Sequence, residues 1–201
     1  MKDVLFVYCC LFLQIKLRMK KYFIQYKPFL FFLASFFGSY ILLTFLYQVF
    51  LNGFGKNEVD SITRFVSRNT ENVLSLFFKS TRVEEANNEP SFVVYLFDRS
   101  IVRIVEGCNA ISVIILFTSF IVAFSGSLKN TLFFIFGGSL IIYILNVLRI
   151  AVLTVLLCYF PGHTHLLHGV LFPLIIYGVV FILWVIWVNK FSGYVKKNAS
   201  K

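Results

Sequence analysis

Long apolar stretches separated by short polar segments dominate the chain. The apolar stretches cover residues 28–51, 109–124, 131–160 and 166–188. A helix that crosses a bilayer needs about 20 predominantly apolar residues. The pattern therefore predicts an all-α integral membrane protein with about four transmembrane helices.

A shorter apolar segment, residues 4–15, precedes the first long stretch. Its length of about twelve residues is below that of a bilayer span. A cluster of basic residues follows it instead of the small-residue cleavage site that ends a signal peptide. Met19 stands inside this cluster and is a candidate translation start. We expect residues 1–27 to form a basic cytoplasmic segment, with 4–15 as a fifth short apolar element.

Residues 52–107 form a polar region between the first and second predicted spans. Eight of the nine acidic residues of the chain lie in it. Asp60 is placed to cap a helix, because aspartate accepts hydrogen bonds from the first backbone N–H groups. The apolar residues of this helix recur at spacings compatible with one face that lies on the membrane surface. That predicted face comprises Ile62, Phe65, Val66, Val73, Leu74 and Phe77.

The end of this region predicts β structure. Residues 84–90 have the composition of a turn. Residues 91–105 are rich in β-branched and aromatic residues on both sides of a polar turn at residues 98–100, which is typical of a β-hairpin. The hairpin leads directly to Cys108. Residues 52–107 are therefore predicted to be a small α/β loop region.

The distribution of basic residues predicts the orientation in the membrane. Of the 19 Lys and Arg residues, six precede the first span and four follow the last. Cytoplasmic flanks of membrane proteins are enriched in Lys and Arg. Both termini, including the basic tail 191–201, are thus expected in the cytoplasm and residues 52–107 outside it. Residues 108–190 are expected to form a three-helix transmembrane core.

Composition supports this class and argues against others. Hydrophobic residues make up 59% of the chain, whereas soluble domains contain about 45–50%. The net charge of +10 comes largely from the membrane flanks and forms no basic face that would bind nucleic acid. The four cysteines show no C-x-x-C spacing, so the sequence indicates neither a metal site nor a disulfide framework, and no cofactor is expected.

Ionisable groups cluster at one end of the predicted bundle. Cys108 lies at the start of the second span, and Arg149 lies in an otherwise apolar run close to the same membrane face. The last span begins there with three histidines, His163, His165 and His168. Ionisable residues in a membrane are costly to retain and usually have a function. We therefore expect a thiol, a guanidinium and an imidazole to meet at the extracytoplasmic face.

These three groups are the parts of a cysteine acyl transferase. A thiol is mostly protonated at neutral pH, and a neighbouring histidine can accept its proton to produce a nucleophilic thiolate. Arginine can stabilise the oxyanion of a tetrahedral intermediate or bind a substrate carboxylate. Glu106 can orient the histidine or bind a substrate amine, and it can equally be a solvated loop carboxylate.

The same residues resemble the exosortase/archaeosortase family of polytopic membrane transpeptidases. Glu106-x-Cys108 at the start of one helix, Asn146-x-x-Arg149 in the next and a histidine at the start of the following one are similar to the family pattern. The similarity covers mainly residues 90–190 and is closest to the short exosortase F type.

The resemblance implies roles for individual residues. Cys108 matches the nucleophile and Arg149 the arginine, with Glu106 and Asn146 as supporting residues. His168 is the preferred histidine and His165 the alternative. The implied substrates are exported proteins with a C-terminal tripartite sorting signal, which consists of a short motif, a transmembrane helix and a basic tail. The implied location is the bacterial inner membrane.

The chain departs from the family pattern in two ways. Gly107 and Asn109-Ala110 replace the small residue and the Ser-Gly that many members have around the cysteine. Many members also have about eight spans, against about four here, which leaves room for a partner membrane protein. A second hypothesis therefore stands beside the enzyme: a non-enzymatic assembly or transport component in which Arg149 and the histidines form a polar network or proton path.

Overall fold

The computed structural model describes residues 22, 25–55, 58–87, 89–124 and 126–191. The predictions made for residues 4–15, for Met19 and for the tail 192–201 lie outside the described residues. The described chain is mostly helical, with one small antiparallel sheet.

Helix α1, Lys27–Leu51, agrees with the first predicted span. Pro28 lies in its first turn, where proline's missing N–H costs no hydrogen bond. The helix packs mainly on α3, Ile111–Ala123, and most of its large apolar side chains are exposed. Tyr47 is its buried residue. A helix of 25 residues with exposed apolar side chains is suited to cross a bilayer in contact with lipid.

A small α/β unit follows α1. Helix α2, Ser61–Ser75, is capped by Asp60, whose carboxylate accepts hydrogen bonds from the backbone N–H groups of Ile62 and Thr63 at 3.0 and 2.9 Å. The cap predicted from the sequence is therefore present. Helix α2 packs against the sheet and against α4, Leu128–Tyr159.

The apolar face predicted for α2 is partly wrong. Val66 and Leu74 are buried within the protein, whereas Phe65 and Phe77 are exposed. The buried stripe includes Thr63, Ser67 and Thr70, because short side chains allow the helix to approach its neighbours closely. The protein, and not a membrane surface, covers most of this stripe.

The sheet has three strands instead of the two predicted. Strand β1, Thr81–Glu85, pairs with β2, Phe92–Leu96, which pairs with β3, Arg99–Ile104. The predicted hairpin corresponds to β2 and β3, but its turn is at Phe97-Asp98, where both residues have positive φ. The turn predicted for residues 84–90 begins only after Glu85. Strand β1 was not predicted, because as an edge strand it carries exposed Arg and Glu residues in place of the apolar residues that indicate a strand.

Three helical segments are long and apolar enough to cross a membrane: α1, α4 and α5, Pro161–Phe191. Helix α3 has 13 residues, equivalent to about 20 Å, and is shorter than the predicted span 109–124. The chain is thus a membrane protein with three candidate spans and one shorter apolar helix among the described residues.

Helix α5 starts earlier than predicted and is not uniform. It begins at Pro161 with a 3₁₀ turn, and its segments Leu167–Leu171 and Trp187–Phe191 are π-helical. His163 ends the 3₁₀ turn, His165 lies in the short α-helical segment Thr164–Leu166, and His168 lies in the first π-helical stretch. A π-helical stretch is rare and often marks a functional site.

Two buried clusters hold these elements together. The sheet-side cluster joins α2, the sheet and α4 and includes Val66, Val94, Ile104 and Ile150. The bundle cluster joins α3, α4 and α5 through Ala110, Phe117, Ile121, Ile142, Val180 and Trp187. Cys108 packs against the first cluster, and Ala110 belongs to the second. The turn that carries the cysteine is therefore the junction between them.

Candidate active site

The turn between β3 and α3 carries Cys108. Residues Glu106–Cys108 form a 3₁₀ turn in which the backbone N–H of Cys108 donates to the carbonyl of Val105 at 2.8 Å. Ala110 has φ 65°, in the left-handed region that non-glycine residues rarely adopt. Such backbone strain persists only where surrounding contacts impose it, and it is common at functional sites.

A cavity of about 350 Å³ lies beside this turn. Its wall combines the turn and the start of α3, the middle of α4 and the first half of α5. The lining residues are Gly107, Ala110, Ser112, Val113, Asn146, Arg149, His168, Gly169, Pro173, Ile176 and Tyr177. Two of the three predicted catalytic residues, Arg149 and His168, thus border one space together with Asn146.

Cys108 occupies the edge of this arrangement. Its side chain is half-buried and packs against the sheet-side cluster, whereas its neighbour Gly107 lines the cavity. The Nδ2 group of Asn146 donates to the carbonyl of Cys108 at 2.7 Å. The predicted supporting residue Asn146 therefore joins the backbone of the cysteine to the cavity wall, while the thiol faces an apolar surface.

Arg149 is half-buried, and within the described residues its Nε is buried without a hydrogen-bond partner. Among the described residues Arg149 forms no ion pair, and the cavity lining contains no acidic side chain. A partly desolvated cation with these surroundings is stabilised by an anionic or carbonyl oxygen. The cavity is suited to bind such a group.

The three histidines have different surroundings. His168 lines the cavity from the π-helical stretch of α5. All three histidines are exposed; His165 is not part of the lining, and the ring of His163 contacts Phe160 edge to face. Leu167 anchors this part of α5 in a small cluster with Leu153 of α4. The local packing thus sets His168 beside the cavity.

Glu106 has a partner that the sequence did not suggest. Its Oε1 accepts a hydrogen bond from the hydroxyl of Tyr47 at 2.6 Å. This contact ties Glu106 to α1, while the predicted role of Glu106 toward a histidine or a substrate amine stays a prediction. The Tyr47 hydroxyl also accepts a bond from Asn109 Nδ2 at 2.8 Å, and Asn109 reaches Thr63 Oγ1 at 3.2 Å.

Sequence reasoning missed three residues of this region: Tyr47, Ser112 and Tyr177. Ser112 lies in the first turn of α3, which begins only after the left-handed Ala110, so helical periodicity from Cys108 gave no signal for it. Tyr47 is one of ten tyrosines, and nothing near it in the sequence distinguishes it. Within the described part of the chain, no group of three or more His, Cys, Asp and Glu residues could hold a metal ion.

Fold and site together define a class: a helical membrane protein with a small α/β unit and a cavity of mixed polar and apolar lining where that unit meets the helices. Comparison with family models, with curated proteins and with solved structures gave no match. Function must therefore be argued from the site itself.

Proposed function

We propose that this protein is a membrane-embedded cysteine transpeptidase or protease similar to the exosortase/archaeosortase family. Its substrates are exported proteins with a C-terminal tripartite sorting signal. Cys108 is the nucleophile, Arg149 stabilises negative charge and His168 transfers protons. One observation carries the proposal: Arg149 and His168 line the same cavity as Gly107, next to Cys108, and Asn146 of that cavity binds the Cys108 carbonyl.

The first half of the reaction forms a thioester. The thiol rotates about χ1 toward the cavity, His168 accepts its proton, and the sulfur attacks the carbonyl carbon of the scissile amide. The guanidinium of Arg149 stabilises the resulting oxyanion. When the C–N bond breaks, His168 donates the proton to the departing amine, which leaves with the C-terminal part of the signal.

The second half releases the remaining substrate from Cys108. An acceptor amine attacks the thioester carbonyl and yields a new amide in a transpeptidase, whereas water yields a carboxylate in a protease. His168 accepts the proton of the attacking group and returns one to the thiolate. Both outcomes use the same acyl-enzyme.

The proposed location follows from charge. The protein lies in a bacterial inner membrane with both termini in the cytoplasm, and the α/β unit and the cavity lie on the extracytoplasmic side. This topology requires the short helix α3 to cross the membrane in addition to the three candidate spans. Lys129, in the first turn of α4, then faces the cytoplasm, in keeping with the positive-inside rule. A partner membrane protein can cover surface that the three candidate spans leave open.

One observation favours the alternative, a non-enzymatic assembly or transport component. The Cys108 side chain packs against the sheet-side cluster, as a small apolar residue would. In that case Arg149 and His168 form a polar network between helices. The two functions differ in what they require of the sulfur atom, since packing tolerates alanine and nucleophilic catalysis does not.

The test is processing of an exported protein that has a C-terminal apolar helix and a basic tail. The candidate substrate is co-expressed with the wild type, with Cys108→Ala or with the matched control Cys158→Ala, which removes the other half-buried thiol. Intact-mass analysis should show loss of the C-terminal segment with the wild type and Cys158→Ala only. Equal processing by Cys108→Ala would rule out the nucleophile and leave the alternative.

A further inference from the structure

One phenol hydroxyl holds the Cys108 turn from both sides. Tyr47 Oη donates to Glu106 Oε1 at 2.6 Å and accepts from Asn109 Nδ2 at 2.8 Å. Glu106 lies two residues before Cys108, and Asn109 lies one residue after it. A hydroxyl has one proton to donate and lone pairs that accept, so Tyr47 satisfies both side chains at once.

The turn depends on such support. Within it, the backbone provides hydrogen bonds from Cys108 N to Val105 O and from Asn109 N to Glu106 O. Immediately afterwards Ala110 has its strained positive φ. The side chain of Asn109 spans this residue, since its Oδ1 accepts from the backbone N–H of Ile111 at 3.0 Å. Side-chain contacts from other elements add to this support. Asn146 supplies one of them at the Cys108 carbonyl, and Tyr47 supplies the contacts on the opposite flank.

The position of Tyr47 in α1 fits this role. Tyr47 is 8% exposed on a helix whose large side chains are otherwise mostly exposed. Its partner Asn109 also bonds to Thr63 in α2. The hydroxyl thus connects α1 with the cysteine turn and with the start of α2, directly beside the Asp60 cap.

We propose that Tyr47 is a positioning residue for Cys108. It acts through Glu106 and Asn109, which it fixes so that the backbone at Cys108 keeps its contact with Asn146 and its place at the cavity edge. Loss of the hydroxyl removes the Glu106 carboxylate's bond to Tyr47 and one partner of the Asn109 amide, and the turn becomes mobile. The effect on reactivity rests on the function proposed above, whereas the effect on turn mobility does not.

The test compares Tyr47→Phe with Tyr40→Phe in the full-length protein in lipid nanodiscs. Tyr40 lies on the same helix, and its ring stacks on Phe36. Tyr40→Phe therefore removes a hydroxyl from α1 and keeps the ring that makes this contact. Two quantities are measured: amide hydrogen exchange of the peptide that covers residues 105–111, and the rates at which iodoacetamide alkylates Cys108 and Cys158. Thermal unfolding is recorded for each variant.

Tyr47→Phe should accelerate exchange in residues 105–111. It should also lower the Cys108 alkylation rate by up to roughly tenfold, because a mobile turn loses the activation of the thiol that His168 is proposed to supply. Tyr40→Phe should change neither quantity, and the unfolding temperatures should remain similar. Glu106→Gln keeps an acceptor for the hydroxyl and should retain slow exchange.

Unchanged exchange in Tyr47→Phe overturns the inference. If Tyr47→Phe and Tyr40→Phe accelerate exchange equally, the hydroxyl has no specific role and the inference also fails. If wild-type Cys108 reacts no faster than Cys158, the proposed nucleophile fails, but faster exchange in Tyr47→Phe still supports the positioning of the turn.

Discussion

Arg149 determines most of the electrostatic character of the cavity. Within the part of the chain that the structure describes, its Nε is buried without a partner, and no acidic residue lines the cavity around it. In the proposed reaction this guanidinium meets the oxyanion in a site of low dielectric constant, where such an interaction is strong. A neighbouring carboxylate would weaken this effect by neutralising the charge in advance.

Arg149→Lys should therefore lower the rate of substrate processing by about a hundredfold, a typical effect of removing an oxyanion donor. Lysine keeps the positive charge but lacks the planar fork of donors. The measurement is the rate at which the C-terminal segment is released, followed by intact mass. Wild-type processing by Arg149→Lys and also by Arg149→Gln would contradict the role of Arg149.

Two glycines keep space in the cavity. A Cβ at Gly107 or at Gly169 would meet no atom within 4 Å, and neither glycine has positive φ. Backbone geometry and packing thus do not require glycine at these positions. In the proposed function, glycine there leaves room for the substrate.

Gly169→Leu should fill the cavity and abolish processing while leaving stability unchanged or slightly higher, because leucine favours helix over glycine. Gly178→Leu is the matched control, since Gly178 lies in the same helix, also has open space at its Cβ and does not line the cavity. Processing and thermal unfolding are measured for both. Equal activity of the two variants would show that the cavity does not bind substrate.

At the scale of elements, a pair of adjacent glycines determines how α3 and α4 pack. A Cβ at Gly138 would overlap the ring of Phe117, whereas a Cβ at Gly137 would meet no atom within 4 Å. Phe117 is fully buried in the bundle cluster. Close contact of small residues is a common way for membrane helices to associate.

Gly138→Ala should destabilise the protein by about 1–3 kcal/mol, because overpacking a buried contact forces side chains or backbone to shift. Gly137→Ala should be neutral or slightly stabilising, since alanine favours helix. Unfolding in detergent micelles, followed by circular dichroism, checks both. Equal stability of the two variants would mean that α3 and α4 do not pack through Gly138.

The sequence predicted elements well where periodicity or length is decisive. The bounds of α1 and the Asp60 cap agree with the structure. The sequence-based prediction was wrong where contacts with other elements determine the structure. The buried stripe of α2 includes Thr and Ser residues, and β1 is an edge strand with charged side chains. Helix α3 has only 13 residues, although the apolar stretch around it is longer. The turn that carries Cys108 determines where α3 begins, and the length of the apolar stretch does not.

At the scale of the whole molecule, the candidate site lies where two cores meet. The sheet-side cluster contacts Cys108, and the bundle cluster includes Ala110. Sequence could predict that Cys108, Arg149 and a histidine approach the same end of the bundle, because that follows from counting spans. It could not identify Tyr47, since tertiary contacts across 59 and 62 residues bring its partners together.

The orientation of the molecule provides a prediction at this scale. A cysteine that replaces Asn87, in the α/β unit, should react with a membrane-impermeant thiol reagent in intact cells. One that replaces Lys129, in the first turn of α4, should react only after the inner membrane is permeabilised. Mass spectrometry of the labelled peptides separates these sites from the native cysteines. The reverse pattern would put the cavity on the cytoplasmic side.

The central claim is that His168 activates Cys108, and the alkylation rate of Cys108 tests it most directly. An unassisted thiol is only a few per cent ionised at neutral pH, so loss of its base should slow alkylation by roughly tenfold. We predict this decrease for His168→Ala. We predict no change for His163→Ala, because His163 contacts Phe160 and does not line the cavity. An alkylation rate in His168→Ala equal to that of the wild type would contradict the account.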